Sequence, residues 1–274
     1  MSGILYLVAT PIGNLTELSE RTISTLKSVD IVACENPKNS GILLAHLGIQ
    51  KKTIQVNAVN EAKTSENIIK LIMDGANIAF VSDAGYPCIS DPGYLLVTQA
   101  IKKDIEMHVI NGSSAFLTAL VASGLDATKF FFYGFLSSKS GTKKNELTTL
   151  KSLQNTIIFY ESSHRIQDTM KVMYEVFGDR KVCVARELTK IHEEYMRGKL
   201  SELQELSINQ QKGEFVIILE GASSVCSLSE NELLDQMNLL VAQGYKIKEA
   251  SEDLGKKHNV SKNYLYNLYH KNKE

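Results

Sequence analysis

Apolar residues in this chain come in two rhythms, short unbroken runs and helical stripes, and the two alternate. Ile4 to Ala9 is the first run and reads as a buried strand, ended by Thr10-Pro11-Ile12-Gly13-Asn14. A helix follows, with Ser19 as its cap and Ile23, Leu26 and Val29 at helical spacing. Asp30 to Cys34 is the second strand, stopping at a loop Glu35-Asn36-Pro37-Lys38. Leu43, Leu44 and Leu47 mark a short helix, Ile54 and Val56 a weaker strand, and Ile68, Ile69 and Ile72 another helix. Ile78 to Val81 runs straight into a loop that ends at Pro92-Gly93. Tyr94 to Ile101 reads as helix, Met107 to Ile110 as strand, and Asn111-Gly112-Ser113-Ser114-Ala115 as the start of a further helix. Strands alternating with helices predict a parallel sheet wrapped by helices.

A second α/β unit opens with the strand Phe130 to Gly134, followed by a polar, basic stretch, Ser137 to Lys144, read as a loop. Thr156 to Tyr160, Val182 to Ala185 and Phe215 to Leu219 are further strands, with Tyr195 to Leu200 as an edge. Ile166, Met170, Met173 and Phe177 stripe a helix. Short connections here favour some antiparallel pairing. From Leu228 the chain is helical and polar, and residues 244–274 carry seven lysines against four acids. Helices on either side of His258-Asn259-Val260, the second capped by Ser261, suggest a helix-turn-helix-like tail or a solvated helical cap. The predicted architecture is two α/β domains with a cleft between them and a small helical tail. Their limits are 1–118, 119–222 and 226–274.

Composition narrows the function classes. With 43% hydrophobic and 22% charged residues the chain is an ordinary globular one, and a net charge of −1 gives no overall nucleic-acid footprint. Cys34, Cys88, Cys183 and Cys226 have neither metal-type nor disulfide-framework spacing, as in a reducing cytosol. No metal site is expected, and no apolar run is long enough for a membrane span, so the protein reads as cytoplasmic. No two glycines stand two apart, which excludes the G-x-G-x-x-G dinucleotide fingerprint, and no P-loop or G-x-S-x-G elbow occurs. What stands out is Ser82 to Gly93, which holds two of the four prolines together with Asp83, Gly85, Ser90 and Asp91. Strand-end loops of α/β sheets are where ligands are met.

Those loops, taken in order, resemble the ribosomal RNA small-subunit methyltransferase I family of the tetrapyrrole-methylase superfamily. The resemblance is carried by Leu5 to Leu15 with Arg21, by Ser82-Asp83-Ala84-Gly85 with Ile89 to Gly93, and by Phe132 to Leu136. Phe159-Tyr160-Glu161-Ser162 with His164-Arg165, Ala185 to Lys190, Glu194, Gly198 and Lys212-Gly213-Glu214 complete it. The resemblance implies S-adenosyl-L-methionine bound in the cleft and a homodimer. It also implies methyl transfer to the ribose 2′-oxygen of a cytidine in 16S rRNA, with the small ribosomal subunit as partner. By the same resemblance Asp83, Ala84 and Gly85 grip the amino-acid end of the cofactor, helped by the amides of Ser114 and Ala115. Tyr160 and Leu188 enclose the adenosine.

A ribose hydroxyl is a weak acid, so a base is expected, with Glu35, Glu161, Glu187 and Lys190 as candidates. Lys38, Arg165 and Arg186 are candidates for holding RNA phosphates. Each has a plainer reading as a member of a surface salt bridge. The chain departs from the family pattern at Glu35-Asn36-Pro37-Lys38, Asn57-Ala58-Val59-Asn60, Asn111-Gly112-Ser113-Ser114 and Tyr86. These changes concentrate in loops of the first domain. They leave open a methylase with another acceptor, or a non-catalytic RNA-binding relative.

Overall fold

The computed structural model describes residues 2–204, 213–223, 228–258 and 260–272; Lys212, Cys226 and Asn259 fall outside them. Residues Met1–Gly221 form one compact unit and Ala222–Glu274 another.

Five strands make the first sheet: β1 (Leu5–Val8), β2 (Ile31–Cys34), β3 (Lys52–Gln55), β4 (Ile78–Val81) and β5 (Met107–Ile110). Their order is β3-β2-β4-β1-β5 and every pairing is parallel. Alternation along the strands sends Leu5, Ile78 and Phe80 to one face and Val8, Ala79 and Val81 to the other. Helices α3 (Glu61–Met73) and α4 (Tyr94–Lys102) cover the first face through Ile68, Ile72 and Leu96. Helices α1 (Glu20–Ser28) and α2 (Pro37–His46) cover the second through Leu26, Leu43 and Leu44. A sheet covered on both sides needs apolar residues at every strand position, which is why β2 and β4 read as unbroken runs. From the neighbouring strands β1 and β4 the chain leaves to opposite faces, so a crevice opens at their carboxyl ends.

The second sheet is mixed. It contains β6 (Phe130–Phe135), β7 (Thr156–Ser162), β8 (Lys181–Arg186), β9 (Glu194–Lys199) and β10 (Glu214–Leu219), in the order β6-β7-β10-β8-β9. Only β6 and β7 pair in parallel; the other three pairings are antiparallel. Helices α6 (Ser140–Thr149), α7 (Ile166–Phe177) and α8 (Leu200–Leu203) cover one face, and α5 (Ala115–Ser123) covers the other. The limit at residue 118 thus lies inside α5, whose Ala119 and Leu120 pack on Ile158, Cys183 and Val216 of the second sheet. Helix α5 therefore begins at the carboxyl end of the first sheet and belongs by packing to the second.

Two local expectations are corrected. Lys38 is not in a loop: α2 starts at Pro37, with the Asn36 side chain accepting from the Lys38 amide. Asn as cap and Pro at the first helical position are a strong start signal that the strand-end reading overrode. The stretch Ser137 to Lys144 is not all loop either, because α6 begins at Ser140. Its one apolar contact face is too sparse for a helical stripe, and Lys143 fills a position in it where a leucine would be expected.

In the second unit α9 (Glu230–Ala242), α10 (Ile247–His258) and α11 (Lys262–Lys271) pack around Leu233, Met237, Leu254, Leu265 and Leu268. Ser229 and Glu232 form a capping box at the start of α9. The helices on either side of the predicted break are there. Ser261 caps α11 by position, without a side-chain hydrogen bond. Among the described residues no helix is long and apolar enough to cross a membrane.

Candidate functional site

Four loops converge on one cleft of about 980 Å³, part of it open to solvent. The loop after β1 contributes Ile12, and the loop after β4 contributes Asp83, Ala84, Gly85, Tyr86, Ile89, Ser90 and Asp91. The start of α5 brings Ser114, Ala115 and Phe116, and the second sheet supplies an opposite wall that includes Phe135, Tyr160, Leu188 and Glu214.

The loop after β4 is fixed at both ends. Thr10 and Gly85 exchange backbone hydrogen bonds at 2.8 and 3.0 Å, joining it to the loop after β1. Ser82 Oγ donates to the Gly85 carbonyl at 3.1 Å, and Thr10 Oγ1 donates to the Ser82 carbonyl at 3.2 Å. At the far end the Gly93 and Leu95 amides both donate to Glu61 Oε1 at 2.9 Å, so a carboxylate from α3 caps α4. Gly93 has φ 131°, and a Cβ there would lie 2.4 Å from the buried Phe80 ring, which requires glycine. Cys88 and Ser90 also sit at positive φ, 70° and 64°. Held non-glycine residues of this kind mark a loop whose shape is imposed by its surroundings.

A bulge shapes the aromatic wall. The β6–β7 register shifts between Phe132 and Gly134, so Phe132 and Phe135, which alternation would place on opposite faces, both meet Tyr160. Their ring centroids lie 5.1 and 5.4 Å from the Tyr160 ring. Burial pushes the Tyr160 hydroxyl up to about 12, with the Phe116 amide hydrogen-bonding to it and pulling the other way. Tyr160 is thus both a wall residue and a partner for the first turn of α5.

Beyond β8 the chain makes a strained hook, with Glu187 at φ 49° and Thr189 at φ 66°. Lys190 Nζ reaches Glu187 Oε1 at 3.0 Å, and the Thr189 amide donates to Glu193 Oε2 at 2.6 Å. Gly13 lies against this hook: a Cβ on it would approach Lys190 Cγ to 2.7 Å. The loops after β1 and β8 therefore pack closely against each other here.

Of the residues predicted from sequence, Asp83, Ala84, Gly85, Ser114, Ala115, Tyr160, Leu188, Glu161, Glu187 and Lys190 line this cleft. Glu35 stands beside it at the end of β2, where burial and the neighbouring Asp83 charge raise its pKa above the usual carboxylate range. Lys38, Arg165 and Arg186 do not line the cleft. Arg186 Nε is bound to Glu194 Oε2 at 2.7 Å. Arg165 donates to the carbonyls of Leu136 and Ser137 at 2.6 and 3.1 Å and pairs with Glu161 at 3.2 Å. The Glu161 carboxylate is buried and occupied: Ser162 N–H donates to Oε1 at 2.9 Å, and Thr169 Oγ1 donates to Oε2 at 2.7 Å. Lys143 Nζ in turn donates to Thr169 Oγ1 at 2.8 Å. These residues form a closed internal network.

A profile of the family described as Tetrapyrrole (Corrin/Porphyrin) Methylases matches residues 4–204, which takes in the first sheet and the second as far as α8. The chain belongs to this family. It is 41% identical to "Ribosomal RNA small subunit methyltransferase I" of Streptococcus pyogenes serotype M18, over 98% of this chain and 95% of that one. The protein of the same name from Bacillus subtilis is 40% identical, over 98% and 94% of the two chains. That from Haemophilus influenzae is 38% identical, over 97% and 96%. Among solved structures, a diphthine synthase superposes with TM-score 0.64 at 13% identity, covering 80% of this chain and 90% of the other. A uroporphyrin-III-C-methyltransferase from Thermus thermophilus gives 0.56 at 16% identity, covering 79% and 94%. At those identities the structures share the fold.

Ile12, Ser90, Asp91, Phe116 and Glu214 also line this cleft, and none of them has a role assigned from sequence. Ser90 and Asp91 lie in a stretch already marked by its Pro and Gly content, a usable signal. Nothing local distinguishes Glu214 from any strand-edge acid.

The departures from the family pattern are built into local structure. Asn57 Oδ1 accepts the Val59 and Asn60 amides, and Asn60 Oδ1 accepts the Asn57 amide at 2.8 Å, closing the turn before α3. The Gly112 amide donates to the Tyr86 hydroxyl at 3.3 Å, and Ser113 Oγ donates to Glu17 at 2.7 Å.

Proposed function

We propose that this protein is an S-adenosylmethionine-dependent methyltransferase that modifies the ribose 2′-oxygen of a cytidine in small-subunit rRNA, acting as a cytoplasmic homodimer. The observation that carries this reading is collinear similarity, over nearly the whole of both chains, to relatives named for rRNA methylation. The cleft fits the cofactor by its chemistry. The amide-bearing start of α5, at Ser114 and Ala115, suits a carboxylate. Asp83 and its acidic neighbours suit an ammonium and a sulfonium. Tyr160, Phe135 and Leu188 offer the flat apolar wall that a purine requires.

S-adenosylmethionine supplies an electrophilic methyl group. The protein's part is to hold the acceptor oxygen in line with it, and much of the acceleration comes from such positioning. The lysines of the helical unit 222–274 suit RNA phosphates, and a small macrocycle would have no use for them.

The test is methyl transfer from tritiated S-adenosylmethionine to isolated small ribosomal subunits. Label in 16S rRNA, resistant to alkaline cleavage at the modified ribose, is the expected result. Label in another molecule would assign the fold to a different acceptor, and cofactor binding without transfer would make it a non-catalytic relative. Removing residues 222–274 is expected to weaken subunit binding by about tenfold or more at physiological salt while leaving cofactor affinity unchanged. Equal subunit affinity in a filter-binding titration would take this unit out of RNA recognition.

A further inference from the structure

Asp91 lines the cleft from the loop after β4 and is half-buried. Among the described residues its carboxylate has neither a hydrogen-bond nor an ion-pair partner. The other acids around it are paired or more open to solvent. Glu161 is enclosed in the Thr169–Arg165 network, Glu187 is paired with Lys190, and Asp83 Oδ2 accepts from Asn39 Nδ2 at 2.6 Å. Glu214, at the start of β10, is exposed to solvent.

Three carboxylates act on Asp91 through their charge: Glu35 after the end of β2, Asp83 from its own loop and Glu214 from β10. Burial first, and then these three charges, push its carboxyl up to about 7. A free carboxylate near 4 is a poor acceptor for an alcohol proton, whereas one near the operating pH is matched to the task.

We propose that Asp91 is the catalytic base, accepting the proton of the acceptor hydroxyl. The inference rests on the rRNA ribose reading above. As the 2′-oxygen bonds to the methyl carbon and the sulfur–carbon bond breaks, its electron pair stays on sulfur. The hydroxyl proton passes to the Asp91 carboxylate and from there to water, and no oxidant or reductant is required.

The test uses the full-length protein and its Asp91→Asn variant. Transfer to small subunits should fall by about 10²- to 10⁴-fold, while the Kd for S-adenosylmethionine, by calorimetry, stays within about threefold. In the free wild-type protein carrying ¹³C-labelled aspartate, one carboxyl should titrate near pH 7, and that titration should vanish in Asp91→Asn. The wild-type rate should rise with pH through the same region, and Glu214→Gln should move that rise to lower pH by removing a like charge.

An Asn variant within about tenfold of the wild-type rate, or the absence of a carboxyl titrating near 7, overturns the assignment. Parallel loss of cofactor affinity and rate also overturns it and makes Asp91 a cofactor-holding residue. Unlabelled rRNA with the wild-type enzyme defeats the ribose reading and this inference with it. Labelled rRNA with an active Asn variant defeats the inference alone.

Discussion

Replacing Asp83 by alanine is expected to weaken S-adenosylmethionine binding by roughly 10- to 150-fold, the equivalent of one charge-assisted hydrogen bond of about 1.5–3 kcal/mol. The backbone of its loop does not depend on the carboxylate, because the Thr10–Gly85 bridge and the Ser82 hydroxyl hold it. The loss would therefore report on contact with the cofactor, with little contribution from misfolding. Asn39 is the control. Its amide ties one Asp83 oxygen at 2.6 Å, so Asn39→Ala frees the carboxylate without removing its charge and should cost less affinity than Asp83→Ala. Calorimetry on the two variants checks both statements. An Asp83→Ala protein with wild-type affinity would place the cofactor's amino-acid end elsewhere in the cleft.

The second large effect is on stability. Glu161→Leu should destabilise the first unit by about 3–5 kcal/mol, the usual consequence of stranding charges that a buried carboxylate had paired. Glu161 has no exposed side-chain surface, and its removal leaves Arg165 without its carboxylate and Thr169 without an acceptor. Lys143, whose pKa burial already draws below the usual ammonium range, would lose the acid that most favours its charged form. Arg165 keeps 22% of its side chain in water and two carbonyl partners, which places the expected loss near the lower end of that range. Urea unfolding measures it. Adding Lys143→Met to Glu161→Leu should cost less than the sum of the two single changes, because the residues belong to one network. Strict additivity would show that they act independently.

That network also explains why polar residues around 137–165 were hard to place from sequence. Lys143, Arg165 and Glu161 look like solvated or catalytic residues when each is read alone. Each is instead satisfied by a partner more than three residues away, and only the fold supplies those partners. Arg186 met the same outcome through Glu194, which arrives on the neighbouring antiparallel strand. A charged side chain carries no sign in sequence of whether a countercharge will be opposite it.

Apolar periodicity and turn chemistry by themselves determined the order of the strands and of the helices other than α6 and α8, the double-sided burial of the first sheet and the cleft-facing loop from Ser82 to Gly93. Those are local properties, set by side-chain alternation and by what Pro and Gly allow the backbone to do. Tertiary structure alone decided that α5 joins the second sheet, that a bulge brings Phe132 and Phe135 together on Tyr160, and that Glu61 caps α4. It also decided that Asp91 stands unpaired among three other carboxylates. The energy of a polar group depends on which groups lie within a few ångströms of it, and here those groups come from strands far apart in the chain.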